Sequence, residues 1–181
     1  MVVVSRGFEV VTKYRDKQIS LPKRATQRAA GYDFCAAEDF KLPSIWKMNF
    51  IKILWNIYRH KELTEGDYTK AQKELKPLLV PTGIKAYMQP DEFLLLANRS
   101  SNPLKRKLVL PNGVGVVDAD YYNNEGNEGE IFFQLLNFGV KDLTIKRGER
   151  IGQGIFIPFL LAENENKPQM QRQGGFGSSG K

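Results

Sequence analysis

Residues 112–121 read Asn-Gly-Val-Gly-Val-Val-Asp-Ala-Asp-Tyr. Val114, Val116 and Val117 make a β-type run, and Asp118 closes it. Gly113 and Gly115 let the backbone approach a ligand closely. A carboxylate at the end of a rigid strand is a candidate general base, because that work needs a positioned acceptor within hydrogen-bond reach of a proton. An Asp at a strand end also serves as a turn-former, so this segment alone leaves both readings open.

Outward from it, the chain is built of short β-type runs. Phe8–Val11 and Tyr32–Ala36 lie before residue 40, after an initial Val2–Val4. Ile84–Met88, Phe93–Ala97, Lys107–Leu110, Ile131–Asn137, Leu143–Ile145 and Ile151–Phe159 follow. Pro and Gly punctuate them, as at Pro81, Gly83, Pro103, Gly139 and Gly148. Many short strands with regular turns predict a mainly β fold, a sandwich or jelly roll.

Residues 43–76 break that pattern. Pro43 and Ser44 are helix-start residues, and the apolar stretch behind them is too long for a strand. Lys52, Asn56 and Arg59 form one narrow polar stripe, so this helix is expected to be buried on more than one side. Thr64 and Asp67 resemble a capping box, and Pro77 stops a second helix. The segment is thus expected to be a helical hairpin inserted between two strands.

Composition limits the function classes. The chain has 181 residues, enough for one domain with a real core. No run of 18 apolar residues predicts a membrane span, and the N-terminus lacks the order of a signal peptide. The single Cys35 has no internal disulfide partner, which fits a cytoplasmic protein. No cluster of His and Cys suggests zinc. Net charge is +7, which favours an anionic partner without choosing among nucleotide, nucleic acid and acidic surface. No groove-reading element argues for a specific nucleic acid.

Four more segments carry chemistry. They are Ala30-Gly31-Tyr32-Asp33, Asn98-Arg99-Ser100-Ser101, Gly148-Glu149-Arg150-Ile151-Gly152-Gln153, and the run from Arg172 through Gly174, Gly175, Phe176, Gly177, Ser178 and Ser179 to Gly180. A guanidinium beside hydroxyls suits phosphate oxygens, although Asn102-Pro103 would also make 98–101 a surface turn. The glycine-rich tail reads alone as a linker, an RGG-like nucleic-acid segment or an anion-binding nest.

With residues 112–121, in this order and spacing, these segments resemble the five motifs of the trimeric dUTPases. The resemblance runs from about Pro22 to Gly180 and is that of a Gram-positive or phage-like member with a helical insertion. It implies a distorted jelly-roll β-barrel over 1–161 with the insertion at about 43–76, and a flexible lid over 162–181. It implies hydrolysis of dUTP to dUMP and pyrophosphate, keeping uracil out of DNA and supplying dUMP for thymidylate synthesis. Asp118 would activate the water that attacks the α-phosphorus. Asn112, with backbone at Gly115 and Val117, would read uracil, and Tyr121 would pack under the deoxyribose. Arg99, Ser100, Ser101 and Gln153 would bind phosphate. Arg172 would reach the γ-phosphate, Phe176 would stack on uracil, and Gly177, Ser178 and Ser179 would add donors. Mg2+ would ride on the triphosphate, with Asp33 ordering it through water. Arg150 would hold the site together by ion pairing. Each site would draw on three subunits of a homotrimer.

The chain departs from the family pattern in places. Asn98 stands where Gly or Pro is frequent, Gly152 replaces a more usual Ala in an exchange that reads as harmless, and residues 122–128 lengthen the turn before Gly129-Glu130. A dCTP deaminase of the same fold is the alternative enzyme. Residues 102–106 lack the Ala-Arg pair expected of it, and the tail has the hydrolase form. A protein-binding regulator, docking through Trp46, Trp55 and Tyr58 of the hairpin, is the alternative outside enzymology.

Overall fold

The computed structural model describes residues 5–47, 49–74 and 76–165. The expected Val2–Val4 run and the lid residues Arg172, Phe176, Gly177, Ser178 and Ser179 lie outside them.

The strands in chain order are β1 (Gly7–Val10), β2 (Lys23–Arg24), β3 (Tyr32–Cys35), β4 (Phe40–Leu42), β5 (Leu78–Pro81), β6 (Ile84–Tyr87), β7 (Glu92–Ala97), β8 (Leu108–Val109), β9 (Val114–Asp118), β10 (Phe132–Asn137), β11 (Leu143–Ile145) and β12 (Arg150–Pro158). The fold is mainly β. The largest sheet runs β2-β3-β12-β7-β9, with antiparallel pairing throughout. Smaller sheets pair β1 with β6, β10 with both β5 and β8, and β11 with β4.

Period-two burial explains why these runs are strands. On β10, Phe133, Leu135 and Asn137 point inward, and on β7 Glu92, Leu94 and Leu96 do so. Phe34, Leu94, Phe133, Leu135, Ile145 and Ile151 meet in one core with no exposure. Each such side chain contributes about 1.5–3 kcal/mol of burial. Gly152 belongs to this packing: a Cβ there would lie 1.9 Å from Cε1 of the Phe133 ring. The glycine in place of alanine is therefore a steric requirement of this core and not a harmless exchange.

The insertion is a helical hairpin, α1 (Asn49–Tyr58) and α2 (Glu65–Glu74). The capping box at α2 is formed: Asp67 N–H donates to Thr64 Oγ1 (3.3 Å), and Asp67 Oδ2 accepts from Thr64 N–H (3.1 Å). Two expectations are corrected. Ser44 does not start α1. It caps the 3-10 turn (Ile45–Lys47) that precedes the helix, its hydroxyl accepting from the Trp46 N–H at 3.3 Å, and it is also fully buried as a bridge to Asn137, the hydroxyl donating to Gly139 O at 2.5 Å. Nor is α1 buried on more than one side in this chain. Ile53 faces inward, while Leu54, Trp55, Ile57 and Tyr58 are 49–77% exposed. Trp55 and Tyr58 stack on each other, and Arg59 covers the Trp55 ring.

The lengthened turn after Tyr121 is closed by its own amides. Asn124 Oδ1 accepts from Gly126 and Asn127 N–H, and Asn127 Nδ2 donates to the Tyr121 hydroxyl at 2.7 Å. Gly129 takes φ +80°, where a Cβ would strike Tyr121 O at 2.7 Å. The turn is tied to the barrel by the nearly buried Lys85, whose Nζ donates to Asn123 Oδ1 (2.6 Å) and Glu128 Oε1 (2.7 Å). Lys85 and the Thr12 N–H hold the Glu128 carboxyl down at about 2. Because the folded value is depressed, this stabilisation is present above the unfolded value and is lost as pH falls through the folded one. Glu128→Gln should therefore melt below wild type at neutral pH. The gap should close between pH 4.5 and about 2, and a gap unchanged across that window would remove the ion pair as its cause.

Candidate functional site

Two groups of polar residues stand on the five-stranded sheet, at different places. The first gathers where β3, β7 and β12 run side by side. Gln153 is opposite both Asp33 on β3 and Ala97 on β7. Arg99, two residues past Ala97, donates from Nε to Asp33 Oδ1 at 3.0 Å, and Arg150 Nη1 donates to Asp33 Oδ2 at 3.1 Å. Gln153 Nε2 donates to Asn98 O at 3.2 Å. One buried-side carboxylate thus holds two guanidinium groups in place. Among the described residues neither Nη of Arg99 makes a hydrogen bond, so those donors can meet an anion. Ser100 is exposed beside it and Ser101 half-buried. A Cβ at Gly31 would sit 2.3 Å from Gln153 Oε1 and push that amide from its place.

Residues 98–101 do form a turn, closed by the Asn102 N–H donating to Arg99 O at 2.9 Å, and a π-helix (Asn102–Arg106) follows it. Arg106 reaches from it to Glu149 Oε2 (2.6 Å), fixing the entry to β12. Asn102 and Arg106 were not singled out by the sequence as site residues, and Asn98 stood out only as a departure from the family pattern. Their signal is only a polar side chain in a Pro-containing turn, which many surface loops share.

The second group is on β9, the edge strand. Gly115 and Val117 point inward, Val117 being 3% exposed, while Val114, Val116 and Asp118 share the outer face. Gly115 packs closely on Leu96, where a Cβ would come within 3.2 Å of Leu96 Cβ. Being at the edge, β9 has a backbone flank that no strand of the described residues covers, which suits base recognition by main-chain groups. Asp118 lies opposite Phe93 and borders a cavity of about 370 Å³ lined by Pro90, Glu92, Ala119, Asp120 and Phe159. Glu92 is clamped by Arg6, whose Nε reaches both carboxylate oxygens at 3.0 and 2.9 Å; this bonding holds its pKa below the usual range. Asn112 lies beyond the other end of β9, separated from Asp118 by the strand's length, roughly 13 Å.

Tyr121 is a core residue, 3% exposed, with its hydroxyl donating to Glu130 O at 2.9 Å. Its hydroxyl is thus engaged within the chain, and the ring is fixed in the core. Glu130 itself is buried, which raises its pKa, and it accepts from Gly83 N–H.

The distance between the two groups matters most. The row Asp33, Gln153, Ala97, Val114 crosses the sheet at one level, and Asp118 is four residues further along. Three strand spacings across and four residues along are each on the order of 13–14 Å. The Asp33–Arg99 cluster and Asp118 of one chain thus stand well apart on the sheet.

Among the described residues no three His, Cys, Asp or Glu converge on a metal-sized site. No helix of the described residues is long and apolar enough to cross a membrane.

A family model described as dUTPase matches residues 67–180. A deoxyuridine 5'-triphosphate nucleotidohydrolase from Lactococcus lactis is 46% identical over 176 residues, covering 97% of each chain. The crystal structure of a dUTPase from Streptococcus mutans is 42% identical, with a TM-score of 0.67 over 87% of this chain and 98% of that one. A mutant dUTPase from a Staphylococcus aureus phage, described as coordinating a structural Mg(II) ion, is 15% identical with a TM-score of 0.60, covering 90% and 95%. This last likeness is one of fold alone.

Proposed function

The chain belongs to the dUTPase family, and we propose that it performs the family reaction with Asp118 as base at a site completed by other copies of the chain. It is a dUTP diphosphatase, hydrolysing dUTP to dUMP and pyrophosphate. In this reading Asp118 accepts a proton from a water as that oxygen bonds to the α-phosphorus. The bond from the α-phosphorus to its bridging oxygen breaks, and pyrophosphate leaves. Little covalent work falls to the protein, so positioning and charge neutralisation carry most of the rate.

The separation of Asp118 from the Arg99 cluster is the observation that carries the shared site. Arg99, Ser100, Ser101 and Gln153 of one subunit hold phosphate, with Asp33 and Arg150 fixing Arg99. Asp118, with Asn112, Gly115 and Val117, comes from a second subunit, where Tyr121 is the floor under the sugar. The lid residues Arg172, Phe176, Gly177, Ser178 and Ser179 close from a third.

Mg2+ fits as a passenger of the triphosphate. Asp33 already binds two arginines, so its remaining lone pairs suit an ordered water better than a direct metal bond. When bound, Mg2+ supplies charge neutralisation on the phosphate oxygens.

The test is pyrophosphate release from dUTP beside dCTP, dTTP and UTP. Selective release from dUTP is expected, and ammonia released from dCTP would favour the deaminase. The exposed stripe of Leu54, Trp55, Ile57 and Tyr58 supports a protein partner at the hairpin in addition to catalysis. The same assay separates the two roles, because turnover by the purified enzyme then needs no partner. The free Cys35 thiol agrees with a cytoplasmic enzyme.

A further inference from the structure

We propose that Asn98 is the positioning residue of the phosphate cluster, braced from below by Asn102; this rests on reading that cluster as the phosphate side of a dUTP site. Asn98 ends no strand and caps no α-helix, yet its groups are fully used. Its Oδ1 accepts from the Arg99 N–H (2.9 Å) and from Asn102 Nδ2 (2.7 Å). Its Nδ2 donates to Leu108 O (3.2 Å), and its backbone carbonyl receives Gln153 Nε2 (3.2 Å). One residue therefore sets the backbone direction of Arg99 and the side chain of Gln153 together. A glycine or proline here would offer no side chain for the first of these tasks.

Asn102 gives the brace its rigidity. It is fully buried, and its second Nδ2 hydrogen goes to Ile151 O at 2.8 Å, on the strand that carries Gln153. Its N–H also closes a turn onto Arg99 O at 2.9 Å. Among the described residues its Oδ1 is the one buried side-chain polar atom without a partner. An unpaired buried acceptor is costly, and natural structures keep few of them. The amide orientation is nonetheless fixed, because reversing it would set oxygen against Asn98 Oδ1 and Ile151 O. The residue is thus held for what its Nδ2 does, which is to lock Asn98 onto β12.

Arg99 and Gln153 meet phosphate, so a loose Asn98 weakens phosphate binding and leaves nucleoside binding alone. The experiment is calorimetric binding of α,β-imido-dUTP with Mg2+ and of deoxyuridine to the full chain, wild type and Asn98→Ala. The analogue should weaken about tenfold, the equivalent of roughly one ordinary hydrogen bond. Deoxyuridine affinity should stay within about twofold. An unchanged analogue affinity, or equal loss for both ligands, would overturn the role. Asn102→Ala carries the same comparison if Asn98→Ala does not fold, because it frees the Asn98 side chain from β12 while leaving Asn98 in place, and it exchanges one unpaired acceptor, Asn102 Oδ1, for another, Ile151 O. A wild-type protein that bound neither ligand would overturn the dUTP reading, and this inference with it.

Discussion

Asp118→Asn is expected to cut turnover of dUTP by about 10²–10⁴-fold while the protein keeps its melting temperature. The amide has the same shape as the carboxylate but cannot take a proton from water. The side chain sits on the outer face of β9, so the pairing of Val114–Asp118 with β7 and the inward packing of Val117 do not depend on its charge. KM should move little, because a base that acts only as the water attacks contributes to kcat more than to ground-state binding. Pyrophosphate release under saturating dUTP is the measurement, with circular dichroism melting as the control. A variant that retains wild-type turnover would transfer the role elsewhere. Asp120, two residues on and lining the same cavity, would be the next carboxylate to change; Glu92 is a poorer choice because Arg6 already occupies it.

The strand end at Asp118 was legible for a local reason. A strand announces itself by alternation and its end by a polar residue, and both signals fall within ten residues here. The capping box of Thr64 and Asp67 was legible for the same reason. What the sequence hid depends on distant partners. Phe40–Leu42 is a strand because Leu143–Ile145 pairs with it. Leu78–Leu79, two apolar residues after a proline, become strand because β10 lies alongside. Ser44 caps a 3-10 turn as its chemistry suggests, but its burial as a bridge between Asn137, Gly139 and Asp142 has no local signal. Gly152 looked interchangeable with alanine until Phe133, nineteen positions earlier, was placed against it. The wide apolar arc of α1 predicted burial, since periodicity reports which faces avoid water and not which neighbour covers them.

Mixing two inactive variants should restore activity. Arg99→Ala removes the guanidinium proposed to meet phosphate and should lose about a hundredfold by itself. Asp118→Asn is inactive for a different reason. Within one chain the two residues lie at opposite ends of β7, with Asp33, the anchor of Arg99, three strands away from β9. If a site takes Asp118 from one subunit and Arg99 from another, co-expressed variants in equal amounts assemble some sites with both native groups. Random assembly gives each native group a chance of one half, so roughly a quarter of the sites are intact. Activity should then recover to roughly a quarter of wild type, far above either variant alone. If one chain supplied both groups, every site would lack one of them and mixing would restore nothing. Native mass spectrometry of the mixture shows whether the oligomers contain both variants. Mixed oligomers without recovered turnover would refute the shared site, and a monomer with full wild-type activity would do so more directly. Recovery would mean that the empty distance across the sheet is bridged by a second copy of the chain.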